Sequence, residues 1–393
     1  MSSLRIAYVC RYDPYANDGV ARKIASQVAA WRGDGAEVEL FIVGEDRSGA
    51  SPHAPALAGR HFLYRRPLEK LLMNLRLQRA VLRWRPEVVY LRYSTFLPPP
   101  GRLVRAVPTV VEVNSDDRAE YRLLTWPQRA FNTINRLIIF SGARGMACVT
   151  PELEARIRRD YPDARTATIT NGLDALGPPL PAPHSNERPR LVILASQPYP
   201  WHGIDKIISL AAVMKECDFD IVGPSDIRVG DLPPNVHLHG HLSAQGCEAV
   251  LANADVALAG LAFHRIGLSQ AAPLKVRDYL AHGLPVIIGY DDPDLRGSPW
   301  FALALPNRDE NLSSSQEAIR DFVARVRGRR VTPEEVAPRI GLAAKERERL
   351  RFLAEIAGLK PRRKWTDRTR SVRAAVSMRD SDARMERRGA RSL

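Results

Sequence analysis

Short apolar runs alternate with helical patterns twice along this chain, and that alternation restricts the fold to parallel sheets flanked by helices. The first half reads RIAYVC, the helical pattern VARKIASQVAAW, VELFIVG, and then VVYLRY, TVVEVN, MACVT and TATIT. The second reads RLVILAS, a helix over IDKIISLAAVMKE, FDIVG, NVHLHG, VALAG and PVIIGY. Between them lies GLDALGPPLPAPHSNERPR, whose five prolines sustain neither a helix nor a central strand. The expected organisation is two doubly wound α/β domains, at 1–177 and 189–340, joined by a linker at 178–188. The pattern IGLAAKERERLRFLAEIAGL adds a closing helix at 341–359, expected to return toward the first domain, and 360–393 is expected to be a basic disordered tail.

Two domains of this kind create a cleft between the carboxyl ends of their strands, where open α/β sheets bind ligands. The chain of 393 residues, 45% of them hydrophobic, is long enough for two such cores. It contains no apolar stretch of the roughly 18 residues needed to span a bilayer. Its N-terminus, MSSLRIAYVCRYDPY, lacks the pattern of a secretory leader. Cys10, Cys148, Cys217 and Cys247 are scattered without metal-ligand spacing, which fits thiols in a reducing compartment. These features predict a cytoplasmic protein. The loop after RIAYVC lacks GxGxxG, so dinucleotide oxidoreduction is not expected, and no Walker A loop is present, so P-loop ATP hydrolysis is excluded.

The formal net charge of +14 is unevenly placed. Residues 360–393 hold twelve Lys/Arg and four Asp/Glu, a net +8, which leaves +6 for the rest. The span from Arg60 to Arg85 holds eight Arg/Lys against one acid, Glu69, with Arg76, Arg79 and Arg83 on one helical stripe and leucines on another. A second segment, YRLLTWPQRAFNTINRLIIFSGARG, spaces Arg122, Arg129 and Arg136 seven apart among bulky apolar residues. Basic amphipathic helices of this sort bind anionic headgroups, so these arginines are membrane-surface candidates and a peripheral contact with the inner face of the cytoplasmic membrane is expected. The alternative is two ordinary helices with solvated arginines. Interleaved aromatics and nucleic-acid modules are absent, so no specific nucleic-acid partner is expected.

The most informative stretch is GLSQAAPLKVRDYLAHGLPVIIGY, residues 267–290. With Pro273 in the first turn, Gly283 as cap and Pro285 as stop, it predicts a helix of about ten residues starting near Ala272. Free amides at its start and the charge of Lys275 would hold a diphosphate, while Asp278, one turn on, can accept the hydroxyls of a ribose. A surface pair between Lys275 and Asp278 is the alternative reading.

At these residues the chain resembles the retaining, GT-B-fold glycosyltransferases of the family-4 type, which build bacterial envelope polysaccharides and exopolysaccharides from nucleotide sugars. The likeness extends to about residue 358 through DPYANDGVARKIASQVAAWRGDGAEVELFIVG, TVVEVNSDD, TITNGLDALGPP, WHGIDKI and NVHLHGHLSAQGCEAVLANADVALA. It implies two Rossmann-like domains facing across a cleft, with Lys275 and Asn114 as catalytic residues. Gly19, Gln197, His202, Gln270, Pro273, Leu274 and Asp278 are implied to bind substrate. The chain departs from the family where two glutamates separated by seven residues become Gln270 and Asp278. It departs again where an Arg and a Lys become Gln197 and His202, and where a histidine becomes Asn114. His202 would add charge below its pKa or donate a neutral hydrogen bond.

The implied activity is transfer from a nucleotide-diphosphate sugar to a saccharide or lipid-linked saccharide, with retention by front-face attack. No cofactor and no metal are expected; Asp116-Asp117 and Asp291-Asp292 read as loop or capping pairs. A degenerate scaffold of the same fold, a nucleotide-sugar epimerase or hydrolase, and a nucleic-acid binder are the competing readings.

Overall fold

The computed structural model describes residues 3–16, 18–46, 57–121, 124–173, 179–182, 186–195, 197, 199–223, 232–297, 299–362 and 365. The chain divides into two compact units, residues 1–170 with 342–393, and residues 171–341.

Unit 1 is built on a seven-stranded, all-parallel sheet, with β1 (Arg5–Arg11), β2 (Glu37–Glu45), β3 (Arg60–Tyr64), β4 (Val88–Arg92), β5 (Thr109–Val113), β6 (Gly145–Cys148) and β7 (Arg165–Thr168). Their order is β3-β2-β1-β4-β5-β6-β7. Central strands read as near-continuous apolar runs because helices cover both faces, and Ile6, Tyr8, Val89, Val110 and Met146 are buried. The helices are α1 (Gly19–Gly33), α2 (Pro67–Trp84), α3 (Gly101–Ala106), α4 (Asp117–Tyr121), α5 (Trp126–Gly142) and α6 (Pro151–Asp160). Parallel neighbours need crossovers, and these helices supply those from β1 to β2 and from β3 through to β7.

Unit 2 repeats the plan with six parallel strands, β8 (Arg190–Leu194), β9 (Asp218–Val222), β10 (Val236–Gly240), β11 (Val256–Ala259), β12 (Val286–Ile288) and β13 (Ala302–Ala304). Their order is β10-β9-β8-β11-β12-β13. Its helices are α7 (Ile204–Val213), α8 (Ala244–Asn253), α9 (Leu274–Ala281), α10 (Gln316–Val326) and α11 (Pro333–Ile340). The chain then re-enters unit 1 as α12 (Leu342–Ile356). Leu350 and Leu353 are fully buried there, and Trp31 Nε1 on α1 donates to Glu346 Oε2 at 2.8 Å.

Several features differ from the sequence expectation. The chain leaves unit 1 at Thr170, and the stretch read as a linker is bound to unit 2: Leu180 N donates to His282 O, and the Arg330 guanidinium donates to the carbonyls of Leu180 and Pro181. In the stretch expected to be a tail, Trp365 is buried in the unit 1 core and its indole donates to Asp34 O at 3.3 Å. Residues 363–364 and 366–393 lie outside the described residues. Among the described residues, no helix is long and apolar enough to cross a membrane.

Candidate functional site

In each sheet the strand order reverses once, between β1 and β4 in unit 1 and between β8 and β11 in unit 2. Such switch points open a crevice at the carboxyl ends of the strands. Charged residues gather at both.

At the unit 2 switch point, β8 leads into a 3-10 turn, Pro200–His202, and β11 leads by a longer path to α9. Gly203 ends the turn at φ +71, a left-handed conformation natural to glycine, and starts α7. The turn is held from outside by Arg265, which donates to Pro200 O at 3.2 Å and makes two bonds to Asp205, 2.9 and 2.7 Å. Inside, Lys206 Nζ ties α7 to Leu261 O at 2.9 Å, just beyond β11. The end of β8 is fastened to α9 by the Leu194 N–H, which donates to the Tyr279 hydroxyl at 2.7 Å.

This scaffold brings His202 and Lys275 together, with Lys275 Nζ 3.4 Å from His202 Nε2. Burial and then the neighbouring ammonium push the imidazole down to about 3, so it is neutral. An ammonium only donates, so Nε2 accepts and the ring proton sits on Nδ1. His202 is therefore neither a cation nor, through Nε2, a donor to a ligand; it orients Lys275. Burial lowers Lys275 itself to about 8. Pro273 is the N-cap of α9 in extended geometry rather than a residue of its first turn, and Leu274 is the first helical residue. No side chain caps this end and no acid lies in the first turn, so the first amides of α9 have no side-chain acceptor.

Asp278 follows one turn along α9, its Oδ1 3.8 Å from His282 Nδ1. Gln270 is turned aside: its Nε2 donates to Asp291 Oδ2 at 2.9 Å, and the two residues form a β-bridge. Gln197 stands exposed before the turn, while Tyr199 and Trp201 stack with ring centroids 4.3 Å apart. Asp292, read from sequence as a loop or capping residue, does lie in a loop and accepts from Asp294 N at 3.1 Å, and it also forms a buried ion pair with Arg277, which bonds Asp294 and the Asn171 carbonyl as well. That network braces α9 from its far side.

At the unit 1 switch point, Lys23 of α1 and Arg92 of β4 converge on Glu112 of β5. Lys23 Nζ lies 2.7 Å from Glu112 Oε1, and Arg92 Nη1 lies 2.7 Å from Oε2. Burial pulls Lys23 down to about 7, while Lys23 and Arg92 hold the Glu112 carboxyl well below its usual range. Both cations also donate to Asn114 Oδ1, at 3.0 and 3.3 Å. This fixes the amide orientation and leaves Asn114 Nδ2, shielded from solvent, with no hydrogen-bond partner among the described residues. Sequence reasoning missed this cluster; its signal was a charge inside each of the apolar patterns VARKI, VVYLR and TVVEV. Gly19 opens α1, and a Cβ there would meet nothing within 4 Å. Asp18 caps this helix by accepting from the amides of Val20 and Ala21, so two donors that an anion would use are taken.

The arginines split as well. Arg76, Arg79, Arg83 and Arg129 are exposed, but Arg136 is buried against Asp117 at 2.9 Å and Phe140, and Arg122 lies outside the described residues. Arg136 therefore offers no charge to a membrane. Among the described residues, no group of three or more His, Cys, Asp or Glu is arranged to hold a metal ion.

Against family models, the segment 18–172 matches the one described as a glycosyl transferase 4-like domain. The Lys23–Glu112–Asn114 cluster lies within the matched segment, and the Lys275 site lies beyond it. No curated protein matches the sequence. Among solved structures, an alpha-glucosyltransferase in complex with UDP-glucose and DNA containing an abasic site is 10% identical. It matches with a TM-score of 0.61 over 90% of this chain and 100% of that one. The apo form of the lipopolysaccharide outer core galactosyltransferase WaaB matches at 12% identity and TM-score 0.59, over 89% and 99%. A UDP-GlcNAc 2-epimerase from Neisseria meningitidis bound to UDP-GlcNAc matches at 12% and 0.52, over 89% and 100%. These likenesses establish the GT-B fold, two all-parallel α/β units.

Proposed function

We propose that this protein transfers a sugar from a nucleotide-diphosphate sugar to a saccharide or lipid-linked saccharide acceptor, with retention and without a metal, in cell-envelope or exopolysaccharide biosynthesis. The observation that carries the reading is Lys275, a partly desolvated ammonium at the uncapped start of α9, held by a neutral His202. A departing diphosphate gains negative charge as the glycosidic bond lengthens. Fixed donors in a low-dielectric site stabilise that charge without reorganisation. Asp278 accepts from the ribose hydroxyls. In unit 1, Asn114, its oxygen occupied by Lys23 and Arg92, keeps its Nδ2 donor for a substrate oxygen. Two of the structural neighbours were solved with UDP-sugars, which supports this donor class.

The test is a thermal-shift panel of UDP, GDP, ADP, dTDP and CMP with their common sugars, with and without magnesium, on wild type and Lys275→Ala. Ligand at a hundred times its Kd adds about 2.7 kcal/mol, a shift of a few degrees. A shift with one nucleotide, independent of magnesium and lost in the variant, is expected; turnover of that donor should then fall at least a hundredfold in Lys275→Ala. One feature favours a second reading, a degenerate scaffold: Gln270, where the family resemblance expects a glutamate, is bonded to Asp291. No shift with any nucleotide would move the conclusion there.

A further inference from the structure

Helices α2 and α5 carry their amphipathic character the wrong way round for a solvated surface. The inward face of α5 presents Asn132, Asn135 and Arg136 together with Ile139 and Phe140, while Trp126 is 80% exposed, Leu137 59%, Ile134 58% and Phe131 38%. The same inversion holds on α2, which buries Asn74 and Gln78 beside Leu77 and Val81 and leaves Leu68, Leu71, Leu72 and Leu75 outside, at 84, 51, 45 and 45% exposure. These eight are the majority of the thirteen large apolar side chains that stand exposed among the described residues, so the apolar surface is concentrated rather than scattered.

The two helices share one side of the unit 1 sheet. Asn74 donates to Pro99 O at 3.3 Å, Asn135 donates to Leu97 O at 3.1 Å, and Asn132 Oδ1 accepts from Phe96 N at 2.6 Å, so both helices grip the segment leading into α3. The inward amides of Asn74, Asn132 and Asn135 are committed to that segment, while the leucines and aromatics on the outward faces stand exposed among the described residues. Short α3 adds two exposed cations, Arg102 and Arg105, to Arg76, Arg79, Arg83 and Arg129. The three helices contain one carboxylate, Glu69, and it is occupied by the backbone amides of Arg65 and Arg66 at 2.9 and 3.2 Å. On α2 the mean direction of Arg76, Arg79 and Arg83 is rotated roughly 65° from that of the leucines at 100° per residue, with Arg76 and Arg83 at the border of the apolar band and Arg79 within it.

We propose that the α2–α3–α5 face docks on an anionic lipid bilayer, with its leucines and aromatics entering the boundary between headgroups and acyl chains and its arginines meeting lipid phosphates. A protein partner would be expected to bring carboxylates one by one to match six arginines, whereas an anionic bilayer presents them with a continuous negative surface and an apolar layer just beneath. The docking does not rest on the sugar-transfer chemistry, and it assigns the contact to outward apolar residues as much as to the arginines.

Co-sedimentation of the full chain is compared on vesicles of phosphatidylcholine alone and of equal parts phosphatidylcholine and phosphatidylglycerol. Wild type should bind the anionic vesicles at least tenfold more tightly. The variant Leu71→Glu/Leu72→Glu/Ile134→Glu should lose tenfold or more, and Arg76→Gln/Arg79→Gln/Arg83→Gln roughly fivefold per arginine at low salt, less at high salt. None of these changes touches a buried position, and far-ultraviolet circular dichroism checks that the fold is retained. Brominated lipid should quench wild-type fluorescence more than that of Trp126→Phe, a readout that needs no charge variant. Equal vesicle binding by wild type and the apolar variant, with equal quenching, would overturn the proposal. A lipid-free dimer that the apolar variant disperses, with vesicle binding unchanged, would also overturn it and give the face to a second copy of the chain.

Discussion

Burial lowers Lys275 to about 8 against an ordinary value of 10.5, and the consequence has opposite signs for folding and for binding. Between these values the unfolded chain binds more protons than the folded one, so this residue's contribution to stability improves as pH rises from about 8 to 10.5. A diphosphate prefers the charged ammonium, so nucleotide affinity should fall as pH rises above about 8, by up to tenfold per pH unit. Calorimetric titration from pH 7 to 9.5 measures this, and Lys275→Arg, always charged, should flatten the profile. At Asn114 the amide does two separable jobs. Asn114→Asp keeps an oxygen for Lys23 and Arg92 but removes the Nδ2 donor. The expected outcome is an unchanged or raised melting temperature with kcat/KM down ten- to a hundredfold, about 1.5–3 kcal/mol of lost transition-state stabilisation. A lower melting temperature with full turnover would make Asn114 a purely structural residue. Lys275 and Asp278 were legible in the sequence because proline and glycine punctuate a short helix around them. Lys23, Arg92 and Glu112 were not, since three elements far apart in sequence meet only once the strand order is known.

Helix α9 shows what punctuation controls. Gly283, at φ +84 just past its C-cap, turns the chain into the run toward β12, and a Cβ there would lie 2.5 Å from Pro179 Cβ and 3.2 Å from Val331 O. Gly283→Ala combines backbone strain with that collision, and a loss of about 1–3 kcal/mol in unit 2 is expected from denaturant unfolding. Most strands were readable from their apolar runs. Strand β3, RHFLY, was not, because basic residues flank it and its sequence neighbours read as helix; β13, three residues of ALA, lacks any β-branched side chain. Helices α2 and α5 were readable as helices while their orientation was not. Periodicity identifies a stripe, but the neighbour that the stripe faces is decided by the rest of the fold. For the same reason Arg136 was grouped with surface arginines although it closes a buried pair with Asp117.

At the scale of the whole molecule, the two repeating α/β units were evident from alternation and the proline-rich break, whereas the crossing point at Thr170 was not, because that break is stitched to unit 2 by the Leu180 N–H and by the Arg330 guanidinium. The passage of α12 back into unit 1 makes a strong prediction. A chain ended before Leu342 lacks Leu350, Leu353 and the Glu346 carboxylate that receives the Trp31 indole. It should be recovered mainly as aggregate. A chain ended after Leu359 should stay dispersed with a lowered melting temperature, since among the described residues Trp365 is the one buried side chain it loses. The same return path inverts the order of maturation on the ribosome. Unit 2 is contiguous and is fully synthesised first, although unit 1 begins first. At 5–20 residues per second, the nascent unit 1 waits on the order of ten seconds or more for its last helix. Through that interval the cell must shield an open apolar face that the finished protein never displays.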